Sequence, residues 1–289
     1  MFSGAATLPM PAPRRARSPP AAIDADGCSS EHRSAGEDHG AVRHAAALAG
    51  ARRSSHHAGP SLATEPGMGQ TISLNTRRMQ CIGAYLARPD GPSKGGLVVA
   101  QEIFGVNAHI RAVVDRFAGH GYTTIAPAFF DHVETGVELG YDEDGFRRGR
   151  LLVGEVGLAT AVDDVASAAE AIASAGRIGC VGYCWGGTVA FLAATRLGLP
   201  SVSYYGMRNV QYFDEVPRAP LLFHFGERDA SIPPAMVERH RAELPAAEVH
   251  TYPAGHGFNR DVGADYDAAS ARLALERTLA FLDRHLATP

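Results

Sequence analysis

The sequence predicts an α/β fold with a mostly parallel central sheet covered by helices on both faces. Two observations carry that reading. Gly96–Gln101 (GLVVAQ) is a continuous apolar run, the pattern of a parallel strand buried on both sides. Beyond it, short apolar runs alternate with segments of helical length and period, the order of successive βαβ units.

The elements follow in chain order. Residues 80–88 predict an early strand. After the GLVVAQ strand, Ile110, Val113, Val114 and Phe117 fall at i, i+3, i+4 and i+7, one face of a helix. Tyr122–Pro127 reads as the next strand, and Val162, Val165, Ala166, Ala169 and Ile172 mark a second helix. Arg177–Val181 is a strand, Trp185–Arg196 a helix, Ser201–Tyr205 a strand and Leu221–Phe225 another. Pro233–Glu243 reads as a helix, Val249–Tyr252 as the last strand, and Leu275, Leu279, Leu282 and Leu286 as the face of a closing helix.

Composition bounds the function. The chain has 289 residues, 45% hydrophobic and 20% charged, which excludes global disorder. No run approaches the ~18 consecutive apolar residues of a membrane-spanning helix. A net charge of -4 provides no basic field for nucleic acid or an anionic membrane. Four cysteines (Cys28, Cys81, Cys180, Cys184) are too few for a disulfide scaffold and suit a reducing, cytoplasmic setting better. Residues 1–67 stand apart: rich in Ala, Arg, Pro, Ser and His, without Tyr, Trp or a sustained apolar period. They are expected to form a disordered N-terminal extension, with Met68 a candidate natural start and 68–289 a single domain. No apolar run of signal-peptide length follows the early arginines. The extension's five histidines (His32, His39, His44, His56, His57) lack metal-ligand spacing, and no cofactor or metal is implied elsewhere.

The sharpest local signal is Gly182-Tyr183-Cys184-Trp185-Gly186-Gly187, between a strand and a helix. It is a G-x-nucleophile-x-G elbow with cysteine in the usual place of serine. A sharp turn there needs glycine neighbours, and the helix start offers N–H groups and positive potential to a thiolate or an oxyanion. The plainer alternative is an ordinary buried cysteine beside a glycine-rich helix start. Two downstream signals favour the elbow. Asp229 (in GERDASIP) and His256 (in YPAGHGF) each follow a strand, so both fall on the C-terminal edge of the sheet. Nucleophile, acid, histidine is the chain order of an α/β-hydrolase. His224 and His250 lie within strands and read as structural, as does Cys180, a small buried hydrophobe.

From about Met68 to the C-terminus the chain resembles the dienelactone hydrolase (carboxymethylenebutenolidase) family of α/β-hydrolases. The resemblance rests on VVAQEIFGVN (98–107), Ile125-Ala126-Pro127, the GYCWGG elbow, GERDASIP and AGHGFNR. It implies a Cys184–His256–Asp229 triad and an oxyanion hole built from the backbone amides of Ile103 and Trp185. It also implies that Glu102 contacts the resting cysteine and that Arg260 binds a substrate carboxylate. One departure is visible. Where family members acting on chlorocatechol-derived dienelactones carry a second carboxylate-binding arginine, this chain reads AFFDH (128–132), so the position falls on His132. A histidine there is either a pH-dependent cation or an ordinary loop residue. The loop Asp131–Arg150, with Arg147, Arg148 and Arg150, is the other possible source of a guanidinium, with solvated surface charge as the plainer alternative.

The expectation is therefore a cofactor-independent hydrolase of a small, dienelactone-like lactone or ester, working as a monomer or small homo-oligomer through a thioacyl-enzyme. A different ester or lactone is the nearer alternative. A ligand-binding or redox-thiol protein using Cys180 and Cys184 is the remoter one. Strand residues four apart stand about 13 Å apart, against the ~7 Å limit between Cα atoms in a disulfide.

Overall fold

The computed structural model describes residues 69–286, which lie within one compact unit. The expected N-terminal extension lies outside the described residues. Eight strands form one sheet in the order β1-β2-β4-β3-β5-β6-β7-β8. The strands are β1 (Gln70–Asn75), β2 (Cys81–Ala87), β3 (Gly96–Ala100), β4 (Thr123–Pro127), β5 (Ile178–Tyr183), β6 (Ser201–Tyr204), β7 (Leu221–Gly226) and β8 (Glu248–Tyr252). The β1–β2 and β2–β4 pairs are antiparallel, and every pair from β4 to β8 is parallel. The helices are α1 (Ala108–Gly119), α2 (Glu143–Ala171), α3 (Trp185–Leu192), α4 (Pro234–Glu243) and α5 (Ala268–Leu286).

The chain steps from β3 to β4 through α1, then back past β3 to β5 through α2. Right-handed crossovers in opposite directions put those helices on opposite faces of the sheet. β3, β4, β6 and β7 are buried along their whole length, as continuous apolar runs covered on both sides should be. Ile110, Val113, Val114 and Phe117 form the buried face of α1.

Two elements depart from the sequence expectation. β1 is an edge strand in which Leu74 is buried and Ile72 partly so, an alternation of two residues that is too short to read. α2 begins at Glu143, inside the segment expected to be loop, with the Asp142 side chain accepting the Gly145 amide at 2.8 Å. Its apolar period breaks at Gly157 (φ 71°, ψ 158°), which separates Leu152, Val153 and Val156 from the Val162–Val165 stretch. α3 runs on through a π-helical turn, Ala193–Leu197.

Two core histidines carry a consequence for stability. His224 is wholly buried between the Tyr252 hydroxyl (2.8 Å) and Thr278 Oγ1 (3.0 Å). His240 on α4 donates from Nδ1 to Met236 O (2.8 Å) and is walled by the rings of Phe213, Phe223 and Phe225. Burial disfavours their charged forms, holding His224 well below its ordinary value and His240 down to about 4. The unfolded chain therefore binds protons that the core refuses. The contribution of these two histidines is complete above their ordinary value of 6.5 and falls as pH drops towards 4. Chemical denaturation between about pH 7 and about pH 4.5 should show this fall. His240→Gln should reduce its slope by roughly 1.4 kcal/mol per pH unit, and an unchanged slope would show that His240 is not kept neutral by the fold.

Candidate active site

The C-terminal edge of the parallel strands gathers the chemistry. Between β5 and α3 the backbone turns at Cys184 with φ 54° and ψ -116°, a conformation that costs a non-glycine residue about 1–3 kcal/mol. The turn is fixed by the Cys184 amide donating to Tyr204 O and the Gly187 amide donating to Cys184 O, both at 3.0 Å. It also depends on missing side chains. A Cβ on Gly182 would sit 1.8 Å from Gly186 O, one on Gly186 2.4 Å from Gln101 O, and one on Gly187 2.6 Å from Tyr204 O.

Asp229 follows β7 and His256 follows β8. The two loops are tied by Arg228 N donating to Ala254 O (2.9 Å) and Glu227 N to Tyr252 O (2.8 Å). A Cβ on Gly226 would strike Ala254 O at 2.5 Å, so the loops touch backbone to backbone. The Asp229 carboxylate is fully buried. Its Oδ1 accepts the Ser231 amide at 2.8 Å, and its Oδ2 lies 2.7 Å from His256 Nδ1. Cys184 in turn acts on His256. Burial opposes the imidazolium, yet the interactions with Asp229 and Cys184 outweigh it and raise His256 to about 10. The structure thus brings Cys184, His256 and Asp229 together.

Ile103 and Trp185 stand at the ends of neighbouring strands, since Ala100 of β3 pairs with Gly182 of β5. Trp185 opens α3, where backbone amides have no acceptor within the helix. Its ring packs edge-on against Phe129 at 5.7 Å. Glu102 and Arg260 are also together: Nη1 is 3.8 Å from Glu102 Oε1, and both side chains are buried. Arg260 lies over the Tyr141 ring at 4.5 Å and over Phe104 at 5.7 Å, with Asp265 Oδ2 at 3.6 Å. Neither Glu102 oxygen has a hydrogen-bond partner, and nor do Arg260 Nε and Trp185 Nε1. Buried polar groups are rarely left so, and their clustering here marks a site shaped for something polar.

His132 is held in a contact of its own. On the short 3-10 turn Phe129–His132, its ring bridges Gln80 Oε1 (2.7 Å) and the buried Asp164 Oδ2 (2.8 Å), tying the turn to α2. Desolvation raises Asp164 to about 6 despite that pairing. Arg147 and Arg148 lie on α2 and pair with Asp144 and Glu134, and Arg150 is exposed. Cys180 is a wholly buried free thiol whose burial pushes its ionisation up. Among the described residues there is no metal-holding cluster and no helix long and apolar enough to cross a membrane.

Sequence reasoning missed Tyr205. It is wholly buried with φ 40°, its ring lies 5.0 Å from that of His256 and 5.5 Å from Phe258, and its hydroxyl has no partner. Burial pushes its ionisation far up, with Glu102, Tyr183 and Cys184 adding to the effect and Arg260 opposing it. It is a neutral donor among charged groups. Only a backbone angle betrays it, so the sequence offered no signal beyond its place at a strand end.

A parallel sheet with a strained strand–turn–helix nucleophile, then acid and histidine on successive strand ends, defines an α/β-hydrolase. The sequence profile of the dienelactone hydrolase family matches residues 82–286. Carboxymethylenebutenolidase 1 of Cupriavidus pinatubonensis is 32% identical over 222 residues, covering 73% of this chain and 95% of that protein. A carboxymethylenebutenolidase of Pseudomonas putida is 32% identical over 223 residues, covering 73% and 94%. The crystal structure of a Klebsiella pneumoniae protein described as a dienelactone hydrolase superposes with a TM-score of 0.67 at 31% identity, over 75% of this chain and 98% of that one. The chain belongs to the dienelactone hydrolase family and is a hydrolase acting on esters or lactones.

The glycine contacts give a direct test. Gly186→Ala should abolish turnover and lower the Tm by several degrees, because its Cβ meets main-chain oxygens that cannot retreat. Gly154→Ala on α2, with nothing within 4 Å, should be neutral or stabilising by up to about 1 kcal/mol. Thermal melts and ester turnover of both variants check this, and an active, stable Gly186→Ala would show that the elbow tolerates a side chain.

Proposed function

We propose that this enzyme hydrolyses a small carboxylate-bearing lactone or ester, of the dienelactone type, through a thioacyl intermediate on Cys184. The observation that carries the reading is the Asp229–His256 pair, Oδ2 2.7 Å from Nδ1, set beside Cys184 on its strained turn. The Cys184 sulfur attacks the carbonyl carbon, and the developing oxyanion is held by the Ile103 and Trp185 amides. Collapse breaks the acyl C–O bond, and the imidazolium of His256 gives its proton to the departing oxygen. Neutral His256, oriented by Asp229, then takes a proton from water as it attacks the thioester, and Cys184 is regenerated. An enol lactone suits this order, because an enolate leaves more readily than the thiolate.

The interactions with Asp229 and Cys184 favour the imidazolium of His256, which makes it a ready acid for the leaving group. Glu102 is the acceptor of the thiol proton in this scheme. A substrate carboxylate drawn to Arg260 competes with Glu102 for that cation, and the freed Glu102 takes the thiol proton, so the nucleophile forms when substrate is present. With His132 committed to Asp164, Arg260 is the cation available for the carboxylate. A free nucleophilic thiol suits a reducing cytoplasm, and nothing in the chemistry needs more than a monomer or a small homo-oligomer.

Two assays test the reading, one on a neutral aryl ester and one on a carboxylate-bearing enol lactone. Cys184→Ala should lose both activities with an unchanged melting curve. Asp229→Asn should lower kcat by roughly 10² or more. Glu102→Gln should impair the lactone far more than the aryl ester. Wild-type rates in Cys184→Ala would remove the mechanism, and equal effects of Glu102→Gln on both substrates would remove the gating step.

A further inference from the structure

We propose that Tyr141 is a specificity-determining positioning residue: its ring face holds the Arg260 guanidinium ready for a substrate carboxylate. The role rests on Arg260 being the carboxylate anchor, as proposed above, and accounts for what keeps that anchor in place.

The Arg260 side chain is buried, yet no carboxylate hydrogen-bonds it. Glu102 Oε1 lies 3.8 Å from Nη1 and Asp265 Oδ2 3.6 Å from Nη2, both beyond the ~3.2 Å of a good N–H···O bond. The Asp265 side chain is more than half exposed, so water weakens its pull. Aromatic faces touch the guanidinium instead. The Tyr141 ring lies 4.5 Å away and the Phe104 ring 5.7 Å. A ring face carries negative charge density, so it attracts a cation without occupying its N–H groups. A bidentate carboxylate partner would consume those donors. Held by rings, the guanidinium keeps them for a ligand.

Tyr141 is itself fixed. Its hydroxyl accepts a hydrogen bond from Asn107 Nδ2 at 2.9 Å. Asn107 caps α1, its Oδ1 accepting the Ile110 amide at 3.2 Å, which leaves Nδ2 turned to Tyr141. The Tyr141 ring stands edge-on to Phe104 at 4.6 Å. The segment before it is tied down by Leu139 N donating to Phe104 O at 2.9 Å. A Cβ on Gly105 would meet Val137 O at 2.0 Å, so the two loops pack backbone to backbone. This matters when substrate arrives. A carboxylate that displaces Glu102 removes the buried counter-charge of Arg260, and the Tyr141 face remains to hold the cation where it is. A neutral ester draws no benefit from that arrangement.

The test reads the preference for the carboxylate-bearing enol lactone over the neutral aryl ester, as the ratio of their kcat/KM values. Tyr141→Leu should lower this preference about tenfold, equivalent to about 1.4 kcal/mol. Tyr141→Phe keeps the ring and loses only the hydroxyl, so it should stay within about threefold of wild type. Mono-, di- and trifluorophenylalanine at position 141 should then lower the preference stepwise, because fluorine drains the ring face of charge and barely alters its shape. A flat response across the fluorinated series, or wild-type preference in Tyr141→Leu, overturns the proposal. Arg260→Gln separates it from the reading beneath. Lost preference in Arg260→Gln with a flat fluorinated series removes only the role of Tyr141. Unchanged preference in Arg260→Gln removes the carboxylate anchor, and this proposal with it. The fluorinated series involves no large-to-small change, so it stands even if Tyr141→Leu fails to fold.

Discussion

The whole site hangs on the strained backbone at Cys184. Holding φ at 54° costs a cysteine free energy, and the surrounding packing supplies it: β5 runs in parallel register with β3 and β6, and α3 starts one residue after the turn. Three glycines let backbones approach where any Cβ would collide. The same close packing sets the other groups. Because Gly186 touches Gln101 O, the β3 end carrying Glu102 and Ile103 cannot drift from the elbow. Because Gly187 touches Tyr204 O, the strand end carrying Tyr205 is fixed as well. Chemistry at this edge is positioned by main-chain contact, and side chains refine it.

Electrostatics form the second layer. The site holds a buried carboxylate and a guanidinium 3.8 Å apart, beyond direct hydrogen bonding, with further polar atoms unpaired around them. Such groups are costly to bury unless something completes them. The Asp229–His256 pair is the opposite case. It is short, oriented and supported by the Ser231 amide, and it keeps the imidazole charged against its own burial. One pair is completed within the chain and the other is not.

Much of this was legible in the sequence. Continuous apolar runs located the buried parallel strands, and glycine spacing around Cys184 located the elbow, because steric exclusion leaves a mark in residue choice. Asp229 and His256 were found by their places after strands. What was hidden has physical reasons. β1 is an edge strand with only Ile72 and Leu74 turned to the core. The first half of α2 is masked by the break at Gly157. His132 could not be placed, since its partner Asp164 lies 32 residues away on another element. Tyr205 owes its position to a positive φ, which an aromatic residue does not announce.

The central claim is that Cys184 forms a covalent acyl intermediate, and rapid acid quench of the wild-type enzyme during turnover of an aryl ester tests it most directly. Intact-mass measurement with peptide mapping should show an acyl adduct on the peptide containing Cys184, appearing before steady state and decaying when substrate is exhausted. Sustained hydrolysis with no adduct, or with the adduct on another residue, would contradict the account.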